Sequence, residues 1–332
     1  ALQNNTTGGS SVAVGKGALD ANTSGTTNIA IGVNALGANT TASDNVAVGH
    51  SALLVNTTGA LNVAVGYEAL DANTTASSNT AMGYQALTAS TTGEHNTAVG
   101  RNALGAHTTA QGATALGSLA LQSNTTGAYN VGIGYIALRY NTTGAGNSSV
   151  GYNALGANTT GTENVSFGYV AGDGNQTGSY NTYIGGQTGR STTSSYNTFI
   201  GHGSGYHISS GAKNTILGSY NGNQGGIDIR TSSSYIVLSD GDGNPRLYID
   251  NSPILYCSPI YGTTTAGAAN VHVQSSGAVL RSTSSQRYKN TITDATHGLT
   301  ELLALRPVTY KGNDDGDTIF GGLIAEEVHD AG

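Results

Sequence analysis

The chain repeats one phrase of seventeen residues from near its first residue to about Gly222. One copy runs from Asn45 to Leu61 and contains Val48 directly before a central Gly49. Because this spacing persists over most of the chain, it predicts stacked coils of a solenoid and disfavours a mixed globular core. One residue is dropped after Gly185, and the central glycines are Gly15, Gly32, Gly49, Gly66, Gly83, Gly100, Gly117, Gly134, Gly151, Gly168, Gly185, Gly201 and Gly218.

Three further positions of the repeat are restricted in size. A large apolar residue precedes each central glycine, a small residue stands two places before it, and in most repeats a leucine follows four places after it. No helical spacing of apolar residues continues for more than one turn. Each repeat is therefore predicted to form one coil of short β-strands, with glycine in a corner conformation that a Cβ would prevent. The leucines are Leu19, Leu36, Leu53, Leu70, Leu87, Leu104, Leu121, Leu138 and Leu155.

Asparagine recurs four residues before the central glycine. In coils that stack in register, these amides are expected to form a hydrogen-bonded ladder along the axis. The phrase Asn-Thr-Thr-Gly, as at Asn56–Gly59, is typical of polar turns. Both patterns have a structural explanation that requires no ligand. The column comprises Asn28, Asn45, Asn62, Asn79, Asn96, Asn130, Asn147, Asn164, Asn181, Asn197 and Asn214.

The last coils exchange volume between two positions. From Gly168 onward the leucine position becomes glycine, and the small position two before the central glycine becomes large. Volume lost at one position and regained at the other indicates that the two share a packed layer. The glycines are Gly172, Gly189, Gly205 and Gly222, and the enlarged residues are Tyr183, Phe199 and Ile216.

The apolar content of each coil bears on assembly. About three small or medium apolar side chains per coil make a thin core for an isolated chain, and association along the axis would bury a second face. The repeat resembles the head repeats of trimeric autotransporter adhesins. It resembles still more the Asn-Thr-Ala-Ile-Gly-type repeats of phage tail-fibre proteins. The resemblance implies a trimeric β-roll, so we expect a homotrimer with a rod of roughly 60 Å, at about 4.8 Å per coil.

Composition restricts the function classes. Only 9% of the 332 residues are charged and the net charge is −7, which disfavours a nucleic-acid-binding surface. The single Cys257 cannot form an intrachain disulfide, so stability outside a cell would come from assembly. No signal peptide or apolar run near eighteen residues is present, so we expect no membrane insertion. Because the chain opens in the middle of a repeat phrase, further sequence is expected before Ala1.

Beyond the repeats, residues 223–283 are predicted to form a β-rich neck. Tyr235–Ser239 and Arg246–Asp250 have strand composition, and the Asp-Gly-rich segment between them indicates a hairpin. The alternation of Asp240, Asp242 and Asn244 also suggests a calcium loop, but the twelfth-position glutamate is missing and a proline intrudes. We therefore predict a turn. Further short strands are predicted at Val271–Val273 and Ala278–Leu280.

Histidines and tyrosines offer weaker candidates. His50, His202 and His272 could each meet two symmetry mates as a three-nitrogen metal site on a trimer axis. No paired spacing supports this, so we interpret them as surface or stacking residues and expect no cofactor. The tyrosines that follow central glycines could form a stripe for stacking sugars, although packing against the neighbouring coil explains them equally well. These tyrosines are Tyr67, Tyr84, Tyr135, Tyr152 and Tyr169.

Residues 284–332 differ in character from the rest. The segments Ser284–Asn290, Gly298–Tyr310 and Gly321–Val328 follow one another, and three leucines before Pro307 predict a short helix that the proline ends. The three segments resemble, in order, the motifs of the C-terminal intramolecular chaperone of endosialidase-type phage tailspikes and fibres. The resemblance implies that this part templates trimer folding. Family chaperones continue further, so more sequence is expected after Gly332.

The same resemblance implies self-cleavage. Ser284 corresponds to the nucleophile that cleaves the peptide bond on its own N-terminal side, and Lys289 corresponds to its general base. A partly desolvated lysine loses its proton more easily and can activate a hydroxyl. The chain departs from the family at Ser285, which is usually Asp, and at Tyr288, which is usually Leu.

The leading interpretation is the structural and adhesive shaft of a homotrimeric phage tail fibre. It would be extracellular on a virion, bind a host surface glycan or protein, contact other tail proteins, and cleave at most itself. The alternative is a bacterial trimeric surface adhesin, which should end in a membrane-anchor barrel. A polysaccharide-degrading tailspike is less favoured because the acids occupy non-equivalent coil positions and an acid pair must converge. An ice-binding surface is disfavoured, since adjacent threonines on a strand point to opposite sides. The acids considered are Asp44, Glu68, Glu94, Glu163 and Asp173.

Overall fold

The computed structural model describes residues 1–257 and four later strands, at 271–273, 279–281, 307–310 and 320–323. It divides into two compact units, Ala1–Thr263 and Thr264–Gly332. The described residues form strands and turns and contain no helix. The chain is therefore mainly β, and its first unit is a parallel β-solenoid built on the seventeen-residue repeat.

Each repeat contributes one strand of three residues. Successive strands pair in parallel and in register, so that Ala47 lies beside Ala64 and Val48 beside Val65. The rest of each coil consists of turns. Each coil therefore contains one short strand, whereas the sequence predicted several. The strands are β1 (Val12–Val14), β2 (Ile29–Ile31), β3 (Val46–Val48), β4 (Val63–Val65), β5 (Thr80–Met82), β6 (Thr97–Val99), β7 (Thr114–Leu116), β8 (Val131–Ile133), β9 (Ser148–Val150), β10 (Val165–Phe167), β11 (Thr182–Ile184), β12 (Thr198–Ile200) and β13 (Thr215–Leu217).

From β1 to β10, the core of the solenoid consists mainly of the small central residue of the strand and the repeated leucine. Ala30 and Leu36 are fully buried, as are their counterparts in most other coils. Since strand side chains alternate between faces, the large residues on either side of the central alanine point outward. Val14 is 56% exposed and Phe167 is 58% exposed. The interior of each coil is thus narrow, and much of the apolar surface of the strands faces out.

The central glycines adopt the corner conformation that the repeat predicts. Their φ angles lie between +112° and +142°, a region closed to residues with a Cβ. A Cβ built on Gly83 would lie 2.6 Å from the carbonyl oxygen of Gly100 in the next coil. Glycine is therefore required twice over, by backbone conformation and by the close approach of the next coil.

The repeated leucines adopt a left-handed backbone conformation, which the sequence pattern does not predict. Leu19 has a φ of +50° and Leu155 a φ of +49°, and the leucines between them are similar. Positive φ is uncommon for a residue with a branched side chain. When this position changes to glycine, φ stays positive, at +63° for Gly172 and +58° for Gly189. The backbone of the coil is thus preserved while the side chain changes.

The predicted volume exchange is confirmed. A Cβ on Gly172 would meet the Tyr183 ring at 2.5 Å, and one on Gly189 would meet the same ring. Tyr183 and Phe199 are fully buried. The aromatic rings therefore occupy the space that leucine fills in the earlier coils.

The predicted asparagine ladder forms, but its main partners are backbone groups. The Oδ1 of Asn28 accepts from the backbone N–H of Asn45 at 3.0 Å. The Nδ2 of Asn45 donates to the carbonyl oxygen of Gly59 at 2.9 Å. Direct amide-to-amide contacts also occur in this column, such as that from the Nδ2 of Asn164 to the Oδ1 of Asn147 at 3.0 Å, so the expected ladder is confirmed. Each asparagine in addition satisfies backbone groups of the adjacent coil.

A regular amide-to-amide ladder lies at the other asparagine of the repeat, which begins the Asn-Thr-Thr-Gly turn. The Nδ2 of Asn39 donates to the Oδ1 of Asn22 at 2.9 Å and also to the carbonyl oxygen of Ala42. The residue is fully buried. This asparagine therefore closes its own turn and bonds the coil before it, a role that turn chemistry alone did not predict.

The sheet continues past residue 222, where the repeat spacing ends. β16 (Ile236–Ser239) pairs in parallel with β13, after the small hairpin of β14 (Asn223–Gln224) and β15 (Ile227–Asp228). β17 (Pro245–Ile249) then pairs antiparallel with β16, which confirms the predicted hairpin, and β18 (Leu255–Cys257) pairs with β17. One sixteen-stranded sheet therefore joins the repeats to the beginning of the neck.

The second unit is described only through four strands. β19 (Val271–Val273) pairs antiparallel with β20 (Val279–Arg281), close to the two strands predicted there. β21 (Pro307–Tyr310) pairs antiparallel with β22 (Phe320–Leu323). The helix predicted before Pro307 lies outside the described residues.

Candidate functional site

The outer face of the parallel sheet carries a continuous column of apolar residues, here called the apolar stripe. Each strand from β1 to β13, and β16 after them, contributes the residue at its outward position next to the corner. None of these side chains is buried, and Phe167 and Leu217 are at least half exposed. The stripe comprises Val14, Ile31, Val48, Val65, Met82, Val99, Leu116, Ile133, Val150, Phe167, Ile184, Ile200, Leu217 and Leu238.

A second outward column borders the stripe and is also free of charge. It starts with Val12, Ile29, Val46 and Val63 and continues mainly with threonine and valine. Because the coils are in register, both columns advance together at about 4.8 Å per coil. A contiguous apolar face of this length on one chain marks an interaction surface.

The apolar stripe is visible in the sequence as a column, but its exposure is not. Large apolar side chains are usually buried, so their identity alone does not indicate that they face outward. The alanine between two larger residues is buried. Because side chains on a strand alternate between faces, the two larger residues point outward. The signal in the sequence was therefore the small residue at the centre of strands β1 to β10.

The tyrosines that follow the central glycines form two stacked ladders. Tyr67 stacks on His50 at 5.2 Å and on Tyr84 at 5.3 Å between ring centroids. Tyr152 contacts Tyr135 at 5.9 Å and Tyr169 at 5.2 Å. Within a ladder the ring faces cover one another, although the rings remain about half exposed. This geometry favours packing between coils over stacking of sugars on the ring faces.

Two of the five carboxylates considered for glycoside hydrolysis, Glu68 and Asp173, are engaged in local contacts. Glu68 accepts from the Nε2 of Gln85 at 2.8 Å, and this hydrogen bond lowers the pKa of its carboxyl. Partial burial raises the pKa of Asp173, while Arg190 at 3.8 Å opposes the shift. In neither contact does the carboxylate face a second carboxylate that could act as its catalytic partner. The hydrolase interpretation gains no support from these contacts.

The Asp240 turn is held by protein groups. Its carboxylate accepts from the backbone N–H groups of Asp242 at 3.1 Å and Asn244 at 2.8 Å, and it pairs with the guanidinium of Arg246. The backbone hydrogen bond from Asn244 is the main reason that the pKa of Asp240 is lowered. Over the described part of the chain, no three His, Cys, Asp or Glu residues are grouped as metal ligands.

His107 replaces asparagine in the amide-to-amide ladder and is fully buried. Its Nε2 lies 2.9 Å from the carbonyl oxygen of Ala110, and its Nδ1 lies 3.0 Å from the Nδ2 of Asn124. Nε2 therefore donates and Nδ1 accepts, which requires the neutral imidazole. Burial is the main cause that lowers the pKa of His107.

We expect the stability of the chain to fall as pH decreases below the ordinary histidine value of about 6.5. The unfolded chain binds a proton there while the folded His107 resists it, because protonation would set a donor against the amide of Asn124. The loss ceases once the pH falls below the lowered pKa of the folded state, and its slope is at most about 1.4 kcal/mol per pH unit. Urea unfolding midpoints measured across this range check the effect.

The matched variant is His107→Asn, which restores the residue found at this position in most coils. It should remove the His107 component of the pH dependence and leave the fold intact. An identical pH dependence in both proteins would contradict the assignment.

Ser284 and Lys289, the predicted nucleophile and base, lie outside the described residues. Self-cleavage therefore stays a prediction from the motif resemblance.

Comparisons with protein-family models, curated proteins and solved structures produced no match to this chain. No helix among the residues that the structure describes is long and apolar enough to cross a membrane.

Proposed function

We propose that the chain is the structural and adhesive shaft of a homotrimeric fibre, of the kind that phages use as tail fibres. The observation that carries the proposal is the apolar stripe, which extends over every coil of the solenoid. An isolated chain would expose this face to water along its whole length. A shaft formed by several chains would bury it.

The occupant that suits the stripe best is another copy of the same chain. A partner must present an uncharged apolar face with the same rise of about 4.8 Å per coil, and an identical solenoid meets this requirement. The interior supports the same conclusion, because buried alanines leave each coil little core of its own. The number three comes from the resemblance to trimeric head and tail-fibre repeats, and closed rotational symmetry is compatible with it.

The molar mass of the full chain in solution tests this proposal. Light scattering coupled to size exclusion should give three times the chain mass of 33.3 kDa. A mass equal to one chain at working concentration would contradict it. The virion location and the host glycan or protein receptor belong to the same proposal, and contacts with other tail proteins would attach the shaft.

The second part of the proposal concerns residues 284–332, which we infer to begin an intramolecular chaperone that templates trimer folding. The support is the order of the three motif segments in the sequence. In this proposal the Ser284 hydroxyl attacks the carbonyl carbon of Thr283, and Lys289 accepts the hydroxyl proton and passes it to the amine of Ser284. The Thr283–Ser284 peptide bond breaks and an ester takes its place. Water then hydrolyses the ester, which regenerates the Ser284 hydroxyl and frees the upstream shaft with a carboxylate at Thr283.

Mass spectrometry of the chain expressed from its complete reading frame tests self-cleavage. We expect fragments that end at Thr283 and begin at Ser284. Ser284→Ala should abolish them because no nucleophile remains, whereas Ser285→Ala, one residue away, should still yield both. A wild-type product that stays uncleaved would contradict the assignment, as would cleavage that persists in Ser284→Ala.

A further inference from the structure

An open groove lies in the turn segments of three adjacent coils, away from the strands of the apolar stripe. Its volume is about 420 Å³, which is within the usual range for small-molecule sites of about 300–1,000 Å³. Its position corresponds to the residues that follow the repeated leucine. The lining residues are Asn102, Gly105, Ala106, Gln122, Ser123, Arg139 and Tyr140.

The groove lies where residues of very different size occupy the same two positions of nearby coils. Gly105 and Ala106 supply a floor without large side chains. Two coils later, the same two positions carry Arg139 and Tyr140, whereas Thr88 and its neighbouring alanine stand there in an earlier coil. A cationic and an aromatic residue therefore stand side by side near a low floor, and no other coil carries an arginine followed by a tyrosine at these two positions.

Arg139 is held in place with much of its binding capacity free. Its Nε donates to the Oε1 of Gln122 at 3.1 Å, and its guanidinium carbon lies 5.0 Å from the ring centroid of Tyr140. In residues 1–257, none of the ion pairs involves Arg139. Its two terminal nitrogens have the planar geometry that binds a carboxylate through two hydrogen bonds.

Asn102 belongs to the wall of the groove and keeps a fixed backbone there, with the positive φ of +53° that this coil position has elsewhere in the repeat. Its Oδ1 is shielded from solvent, so this oxygen shapes the wall and is not offered to a ligand.

We propose that this groove binds an acidic sugar, namely a hexuronate unit of a surface polysaccharide. The carboxylate would pair with Arg139, and the side chains of Gln122 and Ser123 would bind ring hydroxyls. Tyr140, which is 51% exposed, supplies an aromatic wall for the C–H face of the ring. A neutral sugar lacks the group that Arg139 binds.

This inference deepens the proposed adhesive function and rests on it for its biological setting. One groove per chain makes three in a homotrimer, so that a polymer with repeated acidic units can engage several at once. A weak single site is then sufficient for attachment. The groove itself is formed by one chain, so binding of a monosaccharide does not require the trimer.

The test uses the full chain with glucuronate and, as the neutral counterpart, glucose. Titration followed by NMR or calorimetry should show glucuronate binding with a Kd on the order of 1 mM and at least tenfold weaker binding of glucose. Arg139→Thr and Tyr140→Ala introduce residues that occupy these positions in other coils, so the fold should tolerate them. Arg139→Thr should weaken glucuronate at least tenfold, and Tyr140→Ala should weaken both sugars.

Lys213→Ser is the control, because it removes an exposed positive charge far along the chain and places the serine found at the equivalent Ser78. It should leave glucuronate binding unchanged. Equal binding of the two sugars, no glucuronate binding, or unchanged binding by Arg139→Thr would each overturn the proposal. Molar mass measured on the same sample separates the outcomes, since a trimer that binds no glucuronate refutes only the groove.

Discussion

Gly83→Ala is expected to destabilise the solenoid by at least about 3 kcal/mol, which would place it among the most damaging single substitutions. The new Cβ would lie 2.6 Å from the carbonyl oxygen and 2.7 Å from the carbonyl carbon of Gly100. Backbone atoms of the next coil cannot move aside without breaking the parallel register. In addition, Gly83 has a φ of +140°, where a residue with a Cβ is strained by about 1–3 kcal/mol.

The matched control is Gly37→Ala. Gly37 lies outside the positive-φ region, and the nearest atom to a Cβ there is the carbonyl oxygen of Asn34 at 3.2 Å. Other coils carry Asp20 and Leu54 at the same position, so the coil accommodates side chains there. Its effect should stay within about 0.5 kcal/mol. Urea midpoints and soluble yield at one fixed protein concentration would compare the two variants.

A Gly83→Ala protein that unfolds at the same midpoint as Gly37→Ala would contradict the close stacking of the central glycines. Disruption of the coil at Gly83 leaves folded coils on both sides. We therefore expect the variant to unfold locally first and no longer in a single cooperative transition. Hydrogen exchange in the coils next to Gly83 should then show local opening at urea concentrations below the midpoint.

Those parts of the fold that depend on spacing were predictable from sequence. Constant spacing of Gly49 and its counterparts implies in-register coils, and glycine at every corner implies a conformation closed to other residues. The exchange between Gly172 and Tyr183 was readable for the same reason, since two positions that trade volume must share space. The hairpin around Asp240 followed from its turn residues.

Features that depend on side-chain direction were not predictable in the same way. Leucine usually adopts the right-handed helical or the extended backbone conformation, so the identity of Leu36 does not predict its φ of +51°. Asn28 and Asn39 are the same residue type but have different partners. The Oδ1 of Asn28 accepts from a backbone N–H, whereas the Nδ2 of Asn39 donates to the side-chain amide of another asparagine. The groove at Arg139 arises from residues of three separate coils, and only stacking brings them together.

The second large effect is expected at the apolar stripe. Ile133→Glu should shift the chain from trimer to monomer at concentrations where the wild type stays assembled. Ile133 is 37% exposed in the single chain, so glutamate there can remain hydrated. In the proposed trimer the same position is buried against two copies, where an unpaired carboxylate costs several kcal/mol. With one such charge in each of three chains, the dissociation concentration should rise at least about a hundredfold.

Two controls separate assembly from folding. Thr109→Glu places the same charge on an exposed turn residue outside the stripe and should remain trimeric. Ile133→Leu introduces the residue that Leu116 supplies one coil earlier and should also remain trimeric. Analytical ultracentrifugation over a dilution series gives the masses, and circular dichroism reports whether the dissociated chain keeps its strands. If Ile133→Glu unfolds, the milder Ile133→Thr extends the series.

An unchanged trimer in Ile133→Glu would show that the stripe is not the interface, because a carboxylate without a partner cannot lie in a dry apolar contact at no cost. A folded monomer would show that each solenoid is stable alone and that the stripe serves association. Unfolding of both Ile133→Glu and Ile133→Thr, with both controls trimeric, would mean that coils and trimer form together. That result would follow from the narrow alanine interior, since chains with so little core of their own need the neighbouring face to fold.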